Sequence, residues 1–418
     1  MKKLSNLIFL ILIIASCTTQ KTVEKPDPSS MSDEELKSYA QQLAKDYIIV
    51  DGHVDLPYRM EVAGFMLRKK VEDVSVLTDG NFDYPKSKEG GLDAPFMSIY
   101  IPSSYLKTGG AKAFADSLID MTLGVPKAFP DKFAPANTPQ DIRSNFEKGL
   151  ISLPLGMENG APIEDDLANV EYFFNRGIRY ITLTHSKDNQ IADSSYDTTY
   201  TWNGISPFGE KVIAEMNRVG IMVDISHVTD SAFYDALRLS KAPVIASHSS
   251  CRYYTPGFHR NMSDSMIIDL AKNKGVIHIN FGSTFLSKES QDKFEEMEAH
   301  LVNYRAENGL TESDSLYKTY ATKYANEMGV YEDVKMAATH VDHVVKLVGI
   351  DHVAFGSDFD GVGDSLPNGL KDVSMYPNVI YELLKMGYTA EDIEKICYKN
   401  TFRVWNQVIE TAESLQKS

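Results

Sequence analysis

Eight short apolar runs punctuate this chain, and stretches rich in helix formers separate them. They are Tyr47–Asp55, Ala94–Ile101, Leu150–Glu158, Arg179–His185, Ile221–His227, Pro243–His248, Gly275–Phe281 and His352–Asp358. Strand-length apolar segments alternating with helices predict a parallel βα architecture, and eight is the number that closes a (β/α)8 barrel. Most of the runs end on a histidine or a carboxylate: His53 and Asp55, Glu158, His185, His227, His248 and Asp358. Barrel enzymes carry their chemistry at the C-terminal ends of the strands, so these side chains are expected to meet at one rim. Imidazole nitrogens and carboxylate oxygens are the donors that suit zinc or a similar divalent ion, and a pair of such ions activates water. The first reading of the chain is therefore a hydrolase with a binuclear metal site.

Strand parity supports this reading. Alternate residues of a strand share a face. That predicts common inward rows for His53 and Asp55, for Pro154, Gly156 and Glu158, and for Ile181, Leu183 and His185. It predicts the same for Val223, Ile225 and His227, for Val244, Ala246 and His248, and for Ala354, Gly356 and Asp358. Asp358 and Asp360 have the same parity, so spacing does not choose between them. Each residue also has a plainer reading: Glu158 as a helix cap, His185 as a core histidine, Arg260 as an i,i+4 partner of Asp264.

The chain has 418 residues and a formal net charge of −16. That charge argues against nucleic acid as a partner and against docking on anionic lipid through a basic patch. Residues 1–16 read as an export signal, with Lys2 and Lys3 before an apolar segment from Leu7 to Ala15 that is too short to span a membrane. The segment ends Ile14-Ala15-Ser16-Cys17, which resembles the bacterial lipoprotein signal. The expectation is an exported protein, periplasmic or on the outer membrane, anchored by a lipid on Cys17. Residues 17–33 are polar and rich in Pro and Ser, and read as a disordered tether. The barrel is assigned to 34–418, and its first helix starts at Ser32-Asp33-Glu34-Glu35 and ends near Asp46. Cys251 and Cys397 are expected to be buried free thiols. Residues 56–93 read as a long loop. The charged stretch 283–335 reads as a helical insertion between strands seven and eight, with a solvated surface, a lid and a dimer contact as its possible roles.

Seven segments, in order, resemble the membrane dipeptidase (renal dipeptidase) family of zinc metallopeptidases, which are amidohydrolase-type barrels. They are Asp51-Gly52-His53-Val54-Asp55-Leu56-Pro57, Gly156-Met157-Glu158-Asn159-Gly160, Arg179-Tyr180-Ile181-Thr182-Leu183-Thr184-His185, Asp224-Ile225-Ser226-His227-Val228, Pro243 through Ser250, His259-Arg260-Asn261, and Gly356-Ser357-Asp358-Phe359-Asp360-Gly361. The resemblance implies two Zn2+ ions per chain, though other divalent ions fit the same donors. His53 and Asp55 would hold one, His227 and His248 the other, and Glu158 would bridge them. It implies that His185 faces the scissile carbonyl, that Arg260 clamps the substrate carboxylate and that Asp358, selected over Asp360, shuttles the proton. The implied activity is hydrolysis of short unblocked dipeptides by a metal-bridged hydroxide, and the family suggests a homodimer. Two other readings keep the sequence pattern: an amidohydrolase acting on other small amides, N-acyl amino acids or lactones, and a non-catalytic peptide-binding lipoprotein. His340 and His343 read as packing or surface residues. His259, His278, His300 and His352 have no sequence partner, and Ser247, Ser249 and Ser250 form no nucleophile elbow.

Overall fold

A computed structural model describes residues 27–64 and 69–417. The export signal, Cys17 and the first part of the tether lie outside the described residues. Eight parallel strands close into a barrel: β1 (Ile49–Val54), β2 (Leu92–Tyr100), β5 (Leu155–Glu158), β6 (Ile178–Thr182), β7 (Met222–Asp224), β8 (Ile245–Ser249), β9 (Val276–Ile279) and β10 (Val353–Phe355). Closure comes from β1 pairing with both β2 and β10. One contiguous apolar core runs from Leu36 to Val408 around this barrel. Trp405, on the C-terminal helix Asn400–Lys417, packs 5.2 Å from Phe96, which lies 5.3 Å from Tyr180. These three aromatic rings form a packed row within the core.

Four expectations need correction. Leu150–Glu158 is not one strand: β4 (Ile151–Leu153) pairs with β3 (Phe133–Pro135) in a separate two-stranded sheet, and β5 begins at Leu155. Pro154 divides the two, because it has no N–H to continue a ladder. Its carbonyl still accepts from the Met97 N–H at 2.8 Å. The loop at 56–93 contains the helices Leu56–Val62 and Tyr84–Gly90. The tether stops short of residue 33: Pro28–Ser30 form one 3-10 turn with Pro28 buried. The helix Asp33–Asp46 then starts at a full capping box of Ser32 and Glu35.

The fourth correction concerns parity. In β6 the inward residues are Tyr180 and Thr182, not Ile181 and Leu183. The Tyr180 hydroxyl lies 2.8 Å from His53 Nδ1, and Thr182 Oγ1 donates to Asp224 Oδ2 at 2.5 Å. In β7 the inward row therefore contains Asp224 rather than Val223. In β8 it contains Ser247, whose hydroxyl donates to the same Asp224 oxygen at 2.6 Å. The histidines still reach the rim because they leave the ladder. β6, β7 and β10 end at Thr182, Asp224 and Phe355, three residues before His185, His227 and Asp358.

The insertion is helical, as expected. The short helix Ser283–Leu286 leads into an antiparallel hairpin of Lys288–Asn308 and Ser315–Met328. The hairpin has its own small core of Met297, Leu301, Ala325 and Val330, separate from that of the barrel. Cys251 and Cys397 are buried and free. Among the described residues, no helix is long and apolar enough to cross a membrane.

Candidate active site

Two β-bulges and two left-handed residues build the site. Asp51 and Val54 of β1 pair with Pro95 and Met97 of β2, so β1 carries one extra residue at Gly52-His53. The bulge lets Asp51 and His53 face opposite sides of the barrel wall. Asp51 accepts from the backbone N–H groups of His53 and Ser357 and from the Tyr376 hydroxyl. His53 turns inward. β8 has the same irregularity between Ala246 and Ser249, which brings His248 to the rim beside inward-facing Ser247. His227 and Asp358 follow their strands with φ of +69° and +63°. Non-glycine residues seldom adopt that conformation, and it redirects each side chain over the barrel axis.

Glu158 occupies the centre. Its Oε2 lies 3.4 Å from His53 Nε2 and accepts from Ser98 Oγ at 3.2 Å. Its Oε1 lies 3.1 Å from His227 Nε2, 3.3 Å from His248 Nε2 and 3.5 Å from His185 Nε2. On the first side, Asp55 Oδ2 is 3.3 Å from His53 Nε2. The ligand-capable atoms of His53, Glu158 and His248, of Glu158, His185 and His227, and of His53, Asp55 and Asp358 form three groups, each within 4.8 Å. All the rim residues read from sequence therefore converge around one carboxylate. Parity alone did not foresee that His185 would approach Glu158 almost as closely as His248 does.

The donor set fits divalent cations. His248 Nδ1 lies 2.8 Å from Ser247 Oγ, whose own proton goes to Asp224, so the imidazole keeps its proton on Nδ1 and presents the Nε2 lone pair. His53 Nδ1 lies 2.8 Å from the Tyr180 hydroxyl, which fixes the orientation of the ring. His227 Nε2 and His248 Nε2 stand 2.9 Å apart, and both face Oε1 of Glu158. His53 Nε2, Asp55 Oδ1 and His227 Nδ1 are buried without hydrogen-bond partners. Buried polar atoms are rarely left unpaired unless an ion or water completes them.

The electrostatics agree. Burial works against charge on Glu158, but the surrounding His53, His185, His227 and His248 outweigh it and hold its carboxyl well below the usual range. Burial, with Arg260 nearby, keeps His227 well below the ordinary imidazole range, and burial with His53 and Arg260 does the same for His248. His53 is the opposite case: burial resists its protonation, yet Tyr180, Glu158 and Asp55 draw it well above the ordinary value. Burial lifts Asp358 to about 7; nearby His53 opposes the rise, while Asp55 and Glu158 add to it. Asn280 Nδ2 holds Asp358 Oδ2 at 2.8 Å.

Arg260 is almost wholly buried, and it does not pair with Asp264, whose carboxylate goes to His343 at 2.8 Å. Its Nη1 donates to Ser249 Oγ and its Nη2 to the His248 carbonyl, both at 2.7 Å, while Nε has no partner. Tyr180, Ser98, Asp224, Ser247 and Asn280 support the site but escaped the sequence reading. Correct parity in β6 to β8 would have marked Tyr180, Asp224 and Ser247 as inward polar residues. The remaining histidines lie elsewhere: His340 is buried between the Cys251 N–H and the Leu286 carbonyl, and His278 between Ala246 and Thr401.

Tyr180→Phe tests the supporting contacts. The change removes one hydroxyl from a buried ring and leaves its packing in place. It is expected to weaken metal affinity about 10–100-fold, the usual cost of losing a group that orients a ligand. Metal titration of the wild type and the variant would measure it, and equal affinities would refute the role given to Tyr180.

Above the rim lies a cavity of about 1080 Å³. Its floor includes Asp55, Glu158, His185, His227 and Asp358, and one wall comes from the inserted hairpin. The insertion is therefore part of the site and not only a solvated surface.

Comparison with known proteins bears on the family and the fold. The family model described as membrane dipeptidase (peptidase family M19) matches residues 37–418. An uncharacterised dipeptidase of Schizosaccharomyces pombe is 32% identical over 403 residues, covering 92% of this chain and 86% of that protein. Among solved structures, the probable dipeptidase PvdM of Pseudomonas aeruginosa superimposes with a TM-score of 0.75 at 26% identity, covering 91% of this chain and 100% of that one. A metallopeptidase of Rhodobacter sphaeroides, crystallised with a phosphinate mimic of the dipeptide L-Ala-D-Ala, shares the fold with a TM-score of 0.68 at 23% identity, covering 87% of this chain and 99% of that one.

Proposed function

The chain belongs to the membrane dipeptidase family of metallopeptidases, and from that premise we propose that it hydrolyses dipeptides at a site for two zinc ions. One observation carries the proposal: the two oxygens of Glu158 face two different ligand groups, His53 with Asp55 and His227 with His248. A single carboxylate so placed can serve two cations at the roughly 3.5–4 Å separation of paired sites. When bound, the ions would supply Lewis-acid chemistry and a water made acidic enough to attack at neutral pH.

The chain's own residues do the rest. His185, over Glu158 and at the cavity floor, would donate to the substrate carbonyl oxygen as negative charge builds there. Asp358, whose carboxyl can carry a proton near neutral pH, would pass that proton to the departing amine. Arg260 would meet the substrate's terminal carboxylate.

The arrangement of Arg260 favours one competing reading. Its guanidinium is engaged by Ser249 and His248. A site that does not use Arg260 would accept small amides without a free carboxylate.

Metal-replete protein assayed on paired dipeptides, free and amidated at the C-terminus, separates the two. The dipeptidase reading expects turnover of the free forms, loss of it on chelation and recovery with zinc. Equal turnover of the amides would favour the wider amidohydrolase, and inertness on every dipeptide would sink the proposal. Export and attachment through a lipid on Cys17 rest on the sequence alone. Fatty-acid labelling of the expressed protein that is lost in Cys17→Ala is the expected result, and labelling that persists would refute it.

A further inference from the structure

The hairpin wall of the cavity has an uneven charge arrangement. On the first hairpin helix, Glu289 pairs with Lys293 at 2.7 Å and Asp292 pairs with Lys288, each an i,i+4 couple. Glu295 and Glu298, three residues apart on one face, line the cavity instead. Neither has a hydrogen-bond or ion-pair partner among the described residues, and both are exposed. The cavity's lining includes one cation, Lys187, which is 3.7 Å from Asp197 and mostly solvated. Two bound cations would offset the carboxylates of the floor but leave those of the wall uncompensated.

The same cavity carries a group of aromatic rings. Phe258, Phe285 and Phe294 line it, and the rings of Phe258 and Phe285 meet edge to face at 5.6 Å. Phe285 also lies 5.4 Å from the Arg260 guanidinium. A substrate whose carboxylate is held at Arg260 would lie beside Phe285. Glu295 and Glu298 line the same cavity. Aromatic rings and unpaired carboxylates in one cavity match a side chain that has an aliphatic stem and a cationic head.

We propose that the inserted hairpin makes the enzyme selective for dipeptides with lysine or arginine as the C-terminal residue, with Phe258, Phe285 and Phe294 taking the stem and Glu295 and Glu298 the cationic group. This rests on the dipeptidase reading and on the Arg260 clamp. Each carboxylate acts across partly solvated space, so each contributes roughly a 3-fold preference, and the pair about 10-fold at low salt. The preference falls as salt is raised, because exposed charges are screened.

The test compares kcat/KM for Ala-Lys with that for Ala-norleucine, which has the same stem without the ammonium. The wild type is expected to favour Ala-Lys by about 10-fold. The double variant E295Q/E298Q should bring the ratio close to one, and E295K/E298K should take it below one. Both positions are exposed, so neither variant should disturb folding. An unchanged ratio in E295Q/E298Q overturns the proposal. So does a charge preference seen only at the first residue, Lys-Ala over norleucine-Ala. Cleavage of every dipeptide without regard to charge would refute the selectivity and leave the dipeptidase reading intact, whereas cleavage of none would refute both.

Discussion

Glu158→Gln is expected to lower dipeptide turnover by on the order of 10³-fold or more, beyond the 10–100-fold typical of losing an outer partner of a metal ligand. The amide has the shape of the carboxylate but only one acceptor atom. It cannot face His53 on one side and His227 with His248 on the other with equivalent oxygens. It also removes the one negative charge that the four surrounding imidazoles share. Metal content should fall below that of the wild type, while circular dichroism shows an intact barrel. A variant that kept the wild-type metal content and a near-normal rate would show that Glu158 does not join the two halves of the site.

Asp358→Asn should lower kcat by about 10²–10⁴-fold, the range for removing a positioned proton-transfer group. The metal content should stay at the wild-type level and KM should change little. Backbone strain does not confuse the result, because asparagine tolerates the left-handed conformation that Asp358 adopts at φ +63°. The Asn280 contact at 2.8 Å constrains the same side chain position. Metal analysis decides between two roles. Asp358 also falls within 4.8 Å of His53 and Asp55, so loss of an ion from this variant would make it a ligand and refute its role as proton carrier.

The two variants separate what sequence reasoning grasped from what it misplaced. Every rim residue it named lies at the rim, including His185, which could have been an ordinary core histidine. The reason given for their convergence was partly wrong. Alternation along regular strands accounts for Glu158 at the end of β5. It does not account for His53 and His248, which depend on bulges, or for His227 and Asp358, which depend on left-handed turns. Bulges and positive φ angles in non-glycine residues leave no periodic trace in a sequence. Tyr180 was lost for the same reason: with the wrong face of β6 turned inward, its contact with His53 could not be foreseen.

The eight apolar runs, and the acid or imidazole at the ends of six of them, determined the barrel and its candidate metal-ligand chemistry. Both are local properties: strand-forming runs must be buried, and hard or borderline donors must be satisfied. The tertiary structure alone decided that Glu158 stands between two ligand groups, that Arg260 is tied to Ser249 and the His248 carbonyl instead of Asp264, and that a charged helical hairpin walls the cavity. Each of these depends on distances between segments far apart in the chain. Such distances are set by closure of the whole barrel, and no single segment encodes them.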